Sequence, residues 1–398
     1  VFRQFKRDFP GSPSGTRPDK VGAVIYFDHN ATSPLCGVAR DAWLNAIERY
    51  PANPASPHRL GTRADAALES ARMSAADLLK CSPLDIVWTS GATEANNALF
   101  HHASLDGTGA VWVSGIEHPS IIESAQQFCG GRTGLIPVNA EGVVEVDWIA
   151  ERIHKERPAA VALMAANNET GVLQPWREVM EICRAAGVMF ACDAAQWIGK
   201  MPAAGLGECD FVAGCAHKFG GPVGVGFMKV PPRFRGLLAG GGQEDGRRAG
   251  TQNVAGTLSM IAAWQRREQQ IAAGESRVRE KWRDKFIEQL QHELPEFEVL
   301  GTKAPRLWNT VAALMPQMED CRRRWVVRLD KAGFAVSTGS ACASGKEKTS
   351  HVLAAMNVDA GNSDRMLRFS GGWETTRDEW EALAEAVLEV CKSEAIPK

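Results

Sequence analysis

The sequence predicts an α/β fold built on a mostly parallel sheet covered on both faces. Two observations carry that prediction. From Val24 onward, short β-branched or aromatic runs alternate with amphipathic stretches of helical period. The runs are also near-continuously apolar, as strands buried on both sides must be. A length of 398 residues suggests two or three domains at the usual ~150 residues each.

The first 22 residues are rich in Arg, Lys, Pro, Gly and Ser without an apolar period. They read as a loose arm, with a targeting segment as the alternative. Strands are then expected at VIYF (24–27), IVWT (86–89), AVWVS (110–114), AVALMA (160–165), VMFAC (188–192), FVAG (211–214) and GFMKV (226–230). A helix is expected over 175–186, closed by Gly187 as C-cap. After Thr251 the texture changes: 258–294 reads as one long charged helix leaving the first domain. A second, smaller α/β segment follows to the C-terminus and carries a Gly/Ser/Ala-rich piece at 337–345. In a parallel sheet of this kind, ligands bind at the carboxyl ends of the strands.

Lys plus Arg number 45 and Asp plus Glu 47, a formal charge of −2. That balance argues against a nucleic-acid-binding chain and against an acidic disordered one, leaving small molecules as the better substrate class. The longest apolar runs, such as 159–166, fall far short of the ~18 residues that span a bilayer. The ten cysteines form no C-x-x-C pair and no zinc-spaced cluster. They read as reduced thiols of a cytoplasmic protein, most of them small buried hydrophobes, with no metal site.

Several segments could carry chemistry. In TSGATEANN (89–97), Ala92 and Thr93 follow a strand and open a helix, where free amides suit a phosphate; the alternative is a plain turn with Thr93 as N-cap. Asp193 and Gln196 in DAAQ follow one apolar run, and His217 and Lys218 in AHKFGG follow the next. A lysine there is either a snorkelling surface residue or a Schiff-base amine. The pairing favours the second reading, because pyridoxal phosphate needs both a lysine and a carboxylate that keeps its pyridine nitrogen protonated. His118 in GIEHPS is a candidate proton shuttle or a capping histidine. Cys342 lies among small residues with Lys346 and Lys348 nearby, a packing thiol or an accessible one. Arg368 in MLRFSGG grips either a substrate carboxylate or an intradomain acid.

Together these segments resemble the cysteine desulfurases, fold-type I pyridoxal-phosphate enzymes of the class V aminotransferase superfamily that supply sulfur for iron-sulfur cluster assembly. The resemblance runs from about Tyr26 to Thr376 through YFDHNATSPL, TSGATEANN, EHPS, NNETGVLQP, DAAQ, HKFGGPVGVG, GGGQEDGRRAGTQN, STGSACASG and LRFSGG. It implies a large cofactor domain at 31–270 and a small domain from 1–30 and 271–398 that carries the catalytic cysteine. It further implies that Lys218 holds the cofactor, that Asp193 pairs with the pyridine nitrogen, that Gln196 bonds the ring hydroxyl and that His118 lies over the ring. Ala92, Thr93, Cys215 and His217 would bind the phosphate, and Thr251 the phosphate of a neighbouring subunit in a homodimer. Asn168 and Arg368 would hold L-cysteine, and Cys342 would take its sulfur for delivery to an acceptor protein.

Three departures from the family pattern stand out. Cys215 occupies a position where serine is common, Trp373 one where arginine is frequent, and Asp245 one where a basic residue is frequent. They imply weaker phosphate binding, altered pairing at the substrate entrance and altered charge at the active-site mouth. Competing readings are a selenocysteine lyase or related enzyme of the same superfamily, and a non-catalytic scaffold or sulfur-carrying homologue.

Overall fold

The structure is a computed structural model, and it describes residues 24–105, 109–339 and 350–394. The N-terminal arm lies outside the described residues, and so does the piece holding Cys342. In chain order the strands are β1 (Ile25–Tyr26), β2 (Ile86–Thr89), β3 (Val111–Ser114), β4 (Thr133–Ile136), β5 (Ala160–Met164) and β6 (Met189–Asp193). They continue as β7 (Phe211–Cys215), β8 (Gly226–Lys229), β9 (Glu298–Val299), β10 (Thr310–Leu314), β11 (Phe334–Ala335) and β12 (Met366–Ser370).

Seven of these form the central sheet, in the order β2-β8-β7-β6-β5-β3-β4. Only β8 runs against its neighbours, so the expected mostly parallel sheet is present. All residues of β2, β3, β5 and β7 are buried, which is why they read as unbroken apolar runs. Helices cover both faces, as crossovers between parallel strands require. One hydrophobic cluster packs Trp112, Leu163 and Trp176 on one side, and a second packs Val87, Phe100 and Phe211 on the other.

The helix Trp176–Ala186 ends at Gly187 with φ 66°, the left-handed C-cap expected from sequence. The long helix expected over 258–294 is instead two helices, Val254–Ala272 and Glu275–Glu293. The break falls at Gly274, which takes the left-handed conformation with φ of 72°. Charge patterning is continuous across this point, so periodicity alone merged the two.

The C-terminal residues build an antiparallel sheet, β12-β10-β9, and β11 pairs in parallel with β1. Phe27, Phe286, Trp325, Phe369 and Trp380 fill the core beside them. Bridges Asp28 to Ser370 and Ser337 to Arg368 stitch these pieces together. Among the described residues, no helix is long and apolar enough to cross a membrane.

Candidate active site

The carboxyl ends of β2, β3, β5, β6 and β7 open onto one cavity of about 800 Å³. Its lining brings together Ala92, Thr93, His118, Asn168, Asp193 and Gln196. Cys215, His217, Lys218 and Arg368 line it as well. Of the residues singled out from sequence, Thr251 is exposed and not part of the lining, and Cys342 lies outside the described residues.

Asp193 ends β6 and is 7% exposed. Its Oδ2 accepts from Asn96 Nδ2 at 2.9 Å, and its Oδ1 from the Ala195 amide at 2.9 Å. The carboxylate is thereby aimed by a neighbouring helix and by its own turn. β7 lies parallel to β6 with Asp193 opposite Ala213, so both strands deliver their ends to the same edge. A single 3₁₀ turn, Ala216–Lys218, then places Lys218, whose Nζ donates to the carbonyls of Asn30 and Ala31 at 2.8 Å each.

His118 N-caps the helix Pro119–Cys129, its Nδ1 accepting from the Ser120 amide at 3.1 Å. The capping alternative is therefore realised, in a residue that also faces the cavity. Burial lowers its pKa against the pull of Asp193, and the charges of Lys218 and His351 add to the lowering. The Ser120 amide makes Nδ1 an acceptor, so the neutral ring carries its proton on Nε2. His217 is lowered to about 4 by burial and then by Lys218, with Thr32 Oγ1 3.1 Å from its Nδ1.

The helix Ala92–Leu105 begins two residues earlier than an N-cap at Thr93 would require. Thr93 therefore sits in the first turn, where amides have no intrahelical acceptor and an anion is favoured. Cys215 lies beside this helix start and receives the Ala92 amide. Burial pushes its thiol up to about 11, so it is a neutral group at the anion site.

Arg368 is 1% exposed in the middle of β12. Its Nη2 donates to Asp28 Oδ1 at 2.6 Å, and its Nη1 to the carbonyls of Asn168 at 2.8 Å and Gly339 at 3.1 Å. The guanidinium thus pairs with Asp28 and at the same time stands in the cavity wall.

Two of the sequence departures resolve differently from expectation. Trp373 is absent from the cavity lining: it is buried, and its Nε1 donates to the Gly199 carbonyl at 2.8 Å. A Cβ on the preceding Gly372 would fall 2.2 Å from the His29 ring, so the chain packs too closely there for any side chain. Asp245 is exposed, pairs with Arg247 at 3.2 Å and does not line the cavity either. The buried acid of that turn is its neighbour Glu244, which accepts from Arg72 Nη1 at 2.8 Å and from the Trp88 amide at 3.1 Å.

Sequence reasoning missed polar residues in the cavity wall, Asn30 and Glu169, and behind it, Glu117. Asn30 receives Lys218 and bonds Thr310. Glu169 accepts from Ser350 Oγ at 2.6 Å. Glu117 is fully buried, accepts from Ser114 Oγ at 2.6 Å and is pushed up to about 8 by burial. Its adjacency to His118 was the only signal available. Nine cysteines are described, all free and most of them buried. Among the described residues, no group of three or more His, Cys, Asp or Glu is placed to hold a metal ion.

Residues 25–383 match the family described as aminotransferase class-V. A cysteine desulfurase of Klebsiella pneumoniae is 36% identical over 87% of this chain and 87% of its own. One of Bradyrhizobium diazoefficiens is 35% identical over 92% of this chain and 94% of its own. Among solved structures, a NifS-like protein superposes with a TM-score of 0.84 at 28% identity, covering 93% of this chain and 100% of that one.

Proposed function

The chain belongs to the class-V aminotransferase family, and on that premise we propose that it is a cysteine desulfurase that uses pyridoxal phosphate to move sulfur from L-cysteine onto Cys342. The observation that carries this reading is the convergence of Asp193 and Lys218, from adjacent parallel strand ends, on one cavity with a helix start. Those groups fit the cofactor: an amine for its aldehyde, a carboxylate for its pyridine nitrogen, and the first-turn amides of a helix for its phosphate. When bound, pyridoxal phosphate supplies an electron sink that weakens bonds to the substrate α-carbon.

The chain's own residues supply the rest. Asp193, held by Asn96 and the Ala195 amide, would face the pyridine nitrogen. Lys218 would hold the cofactor, and its Nζ would take the substrate's α-proton. His118, kept neutral by burial, is a second proton carrier on the cavity wall. Arg368 and Asn168 orient the substrate carboxylate, and Thr251 serves the phosphate of a partner copy. The Cys342 thiolate attacks the substrate sulfur: an S–S bond forms, the C–S bond breaks, and its electron pair is protonated on the carbon that becomes the alanine methyl. Gly339 and Ser350, the nearest described residues on either side of Cys342, both line the cavity, which supports access of this thiol to the substrate. The product is a Cys342 persulfide, ready for a sulfur-acceptor protein.

Mass analysis after incubation with L-cysteine tests the reading. One added sulfur on Cys342 and one alanine released per sulfur are expected. A Cys342→Ser variant that released sulfide at the wild-type rate would overturn it, and turnover of selenocysteine far above cysteine would favour the lyase.

A further inference from the structure

Lys200 lies four residues beyond Gln196 and is 3% exposed. Its Nζ donates to Gln196 Oε1 at 2.5 Å and to Asn30 Oδ1 at 2.8 Å, and neither acceptor is a carboxylate. A lysine buried without a counter-charge is costly. Burial, then the positive charges of Lys218 and Arg368, lower its pKa well below the usual lysine range. The backbone that carries it is gripped all the same: Trp373 Nε1 donates to the Gly199 carbonyl at 2.8 Å, and Trp308 Nε1 to the Lys200 carbonyl at 3.0 Å. The two indoles pack 4.6 Å apart.

The oxygen and nitrogen of a side-chain amide are nearly isosteric, so its neighbours decide which way it faces. An amine donating to Gln196 Oε1 holds that oxygen away from the cavity. Nε2 is left facing the Asn30 carbonyl at 2.9 Å, the same carbonyl that receives Lys218. The second N–H of Lys200 fixes Asn30 in the same manner. Asn30 Oδ1 takes Lys200 and Asn309 Nδ2, leaving its Nδ2 for Thr310 Oγ1 at 2.9 Å. Two N–H bonds satisfy both acceptors, so the arrangement stands with or without a third proton on the amine.

We propose that Lys200 is a positioning residue of the cofactor pocket, which orients the amide of Gln196 so that an N–H and not an oxygen is offered to the cavity. Placed there, the N–H donates to the ring hydroxyl oxygen of pyridoxal phosphate. The inference rests on the pyridoxal-phosphate reading above.

The test compares wild type, Lys200→Met, Gln196→Ala and the double variant by two measurements. One is the affinity of the cofactor-free protein for pyridoxal phosphate, read by tryptophan quenching. The other is the pH midpoint of the bound cofactor's visible band. Each single variant is expected to bind about 3- to 10-fold more weakly, the worth of one hydrogen bond. Both should shift the midpoint in the same direction, and the double variant should be no worse than either. Wild-type behaviour of Lys200→Met overturns the proposal, as do losses that multiply in the double variant, the result of a general structural role. If Lys200→Met does not fold by circular dichroism, Lys200→Gln, too short to meet both acceptors, is judged by the same criteria. Failure of the wild-type chain itself to bind pyridoxal phosphate would instead sink the functional reading and this inference with it.

Discussion

The two sheets contribute to the cavity in different ways. The parallel sheet gives its strand ends: Asp193, Cys215 and Lys218 stand where β6 and β7 finish, and each is held by a few short contacts. The antiparallel sheet gives Arg368 from the middle of a strand, with paired neighbours on both sides and ties to Asp28, Asn168, Gly339 and Ser337. A residue at a strand end can be specialised for chemistry at little structural cost, because the ladder has already ended. A charged residue in mid-strand is part of the packing, and the fold depends on its partners.

That contrast can be broken or sharpened by substitution. Lys218→Ala has the largest expected effect on activity, a loss of at least ~100-fold in turnover of L-cysteine, while its unfolding midpoint in urea stays near wild type. A large loss of stability in this variant would erase the difference between the sheets. Arg368→Met should be costly in both respects, raising KM for cysteine and destabilising the chain by ~3 kcal/mol, because Asp28 is left facing an apolar side chain. Denaturant titration beside steady-state kinetics separates the two contributions.

Glu117 tests the floor of the parallel sheet through pH. Its folded pKa is raised to about 8 by burial, above the unfolded value near ~4.3. The folded state therefore holds the extra proton, and the stability this gives is full below the unfolded pKa and is lost as pH rises toward 8. Glu117→Gln should match wild type near pH 4 and exceed it near pH 8 by at least the ~1.4 kcal/mol that one pKa unit represents. Parallel stability curves for the two proteins would contradict the buried-acid assignment. The smallest effect is expected of Trp373→Phe, which removes the hydrogen bond to the Gly199 carbonyl and trims the indole that packs on Trp308. A loss of ~1 kcal/mol with KM for cysteine unchanged would place this residue in the packing behind the site; a raised KM would return it to the substrate entrance.

Much of the site was legible because its residues end strands. An apolar run of four or five residues followed by Asp193, or by a Gly-rich turn after Lys218, is a local pattern, and the parallel sheet brings such ends together. The polar layer behind them was illegible. Lys200, four residues after Gln196, has the spacing of an exposed helical pair, and nothing local reveals that the chain carries it inward. Trp373 and Asp245 were misplaced for the related reason that a substitution at a familiar motif position says nothing of which way the new side chain turns. Trp373 turned inward because an indole N–H found the Gly199 carbonyl.

The sequence alone determined six of the seven strands of the central sheet and the chemistry-bearing residues at their ends, since periodicity and turn composition act over a few residues. The tertiary structure decided which buried charges meet. Arg368 reaches Asp28 across 340 positions of chain, and Lys200 reaches Asn30 across 170. Such pairings are fixed by which elements pack against one another, and only the folded chain brings those elements together.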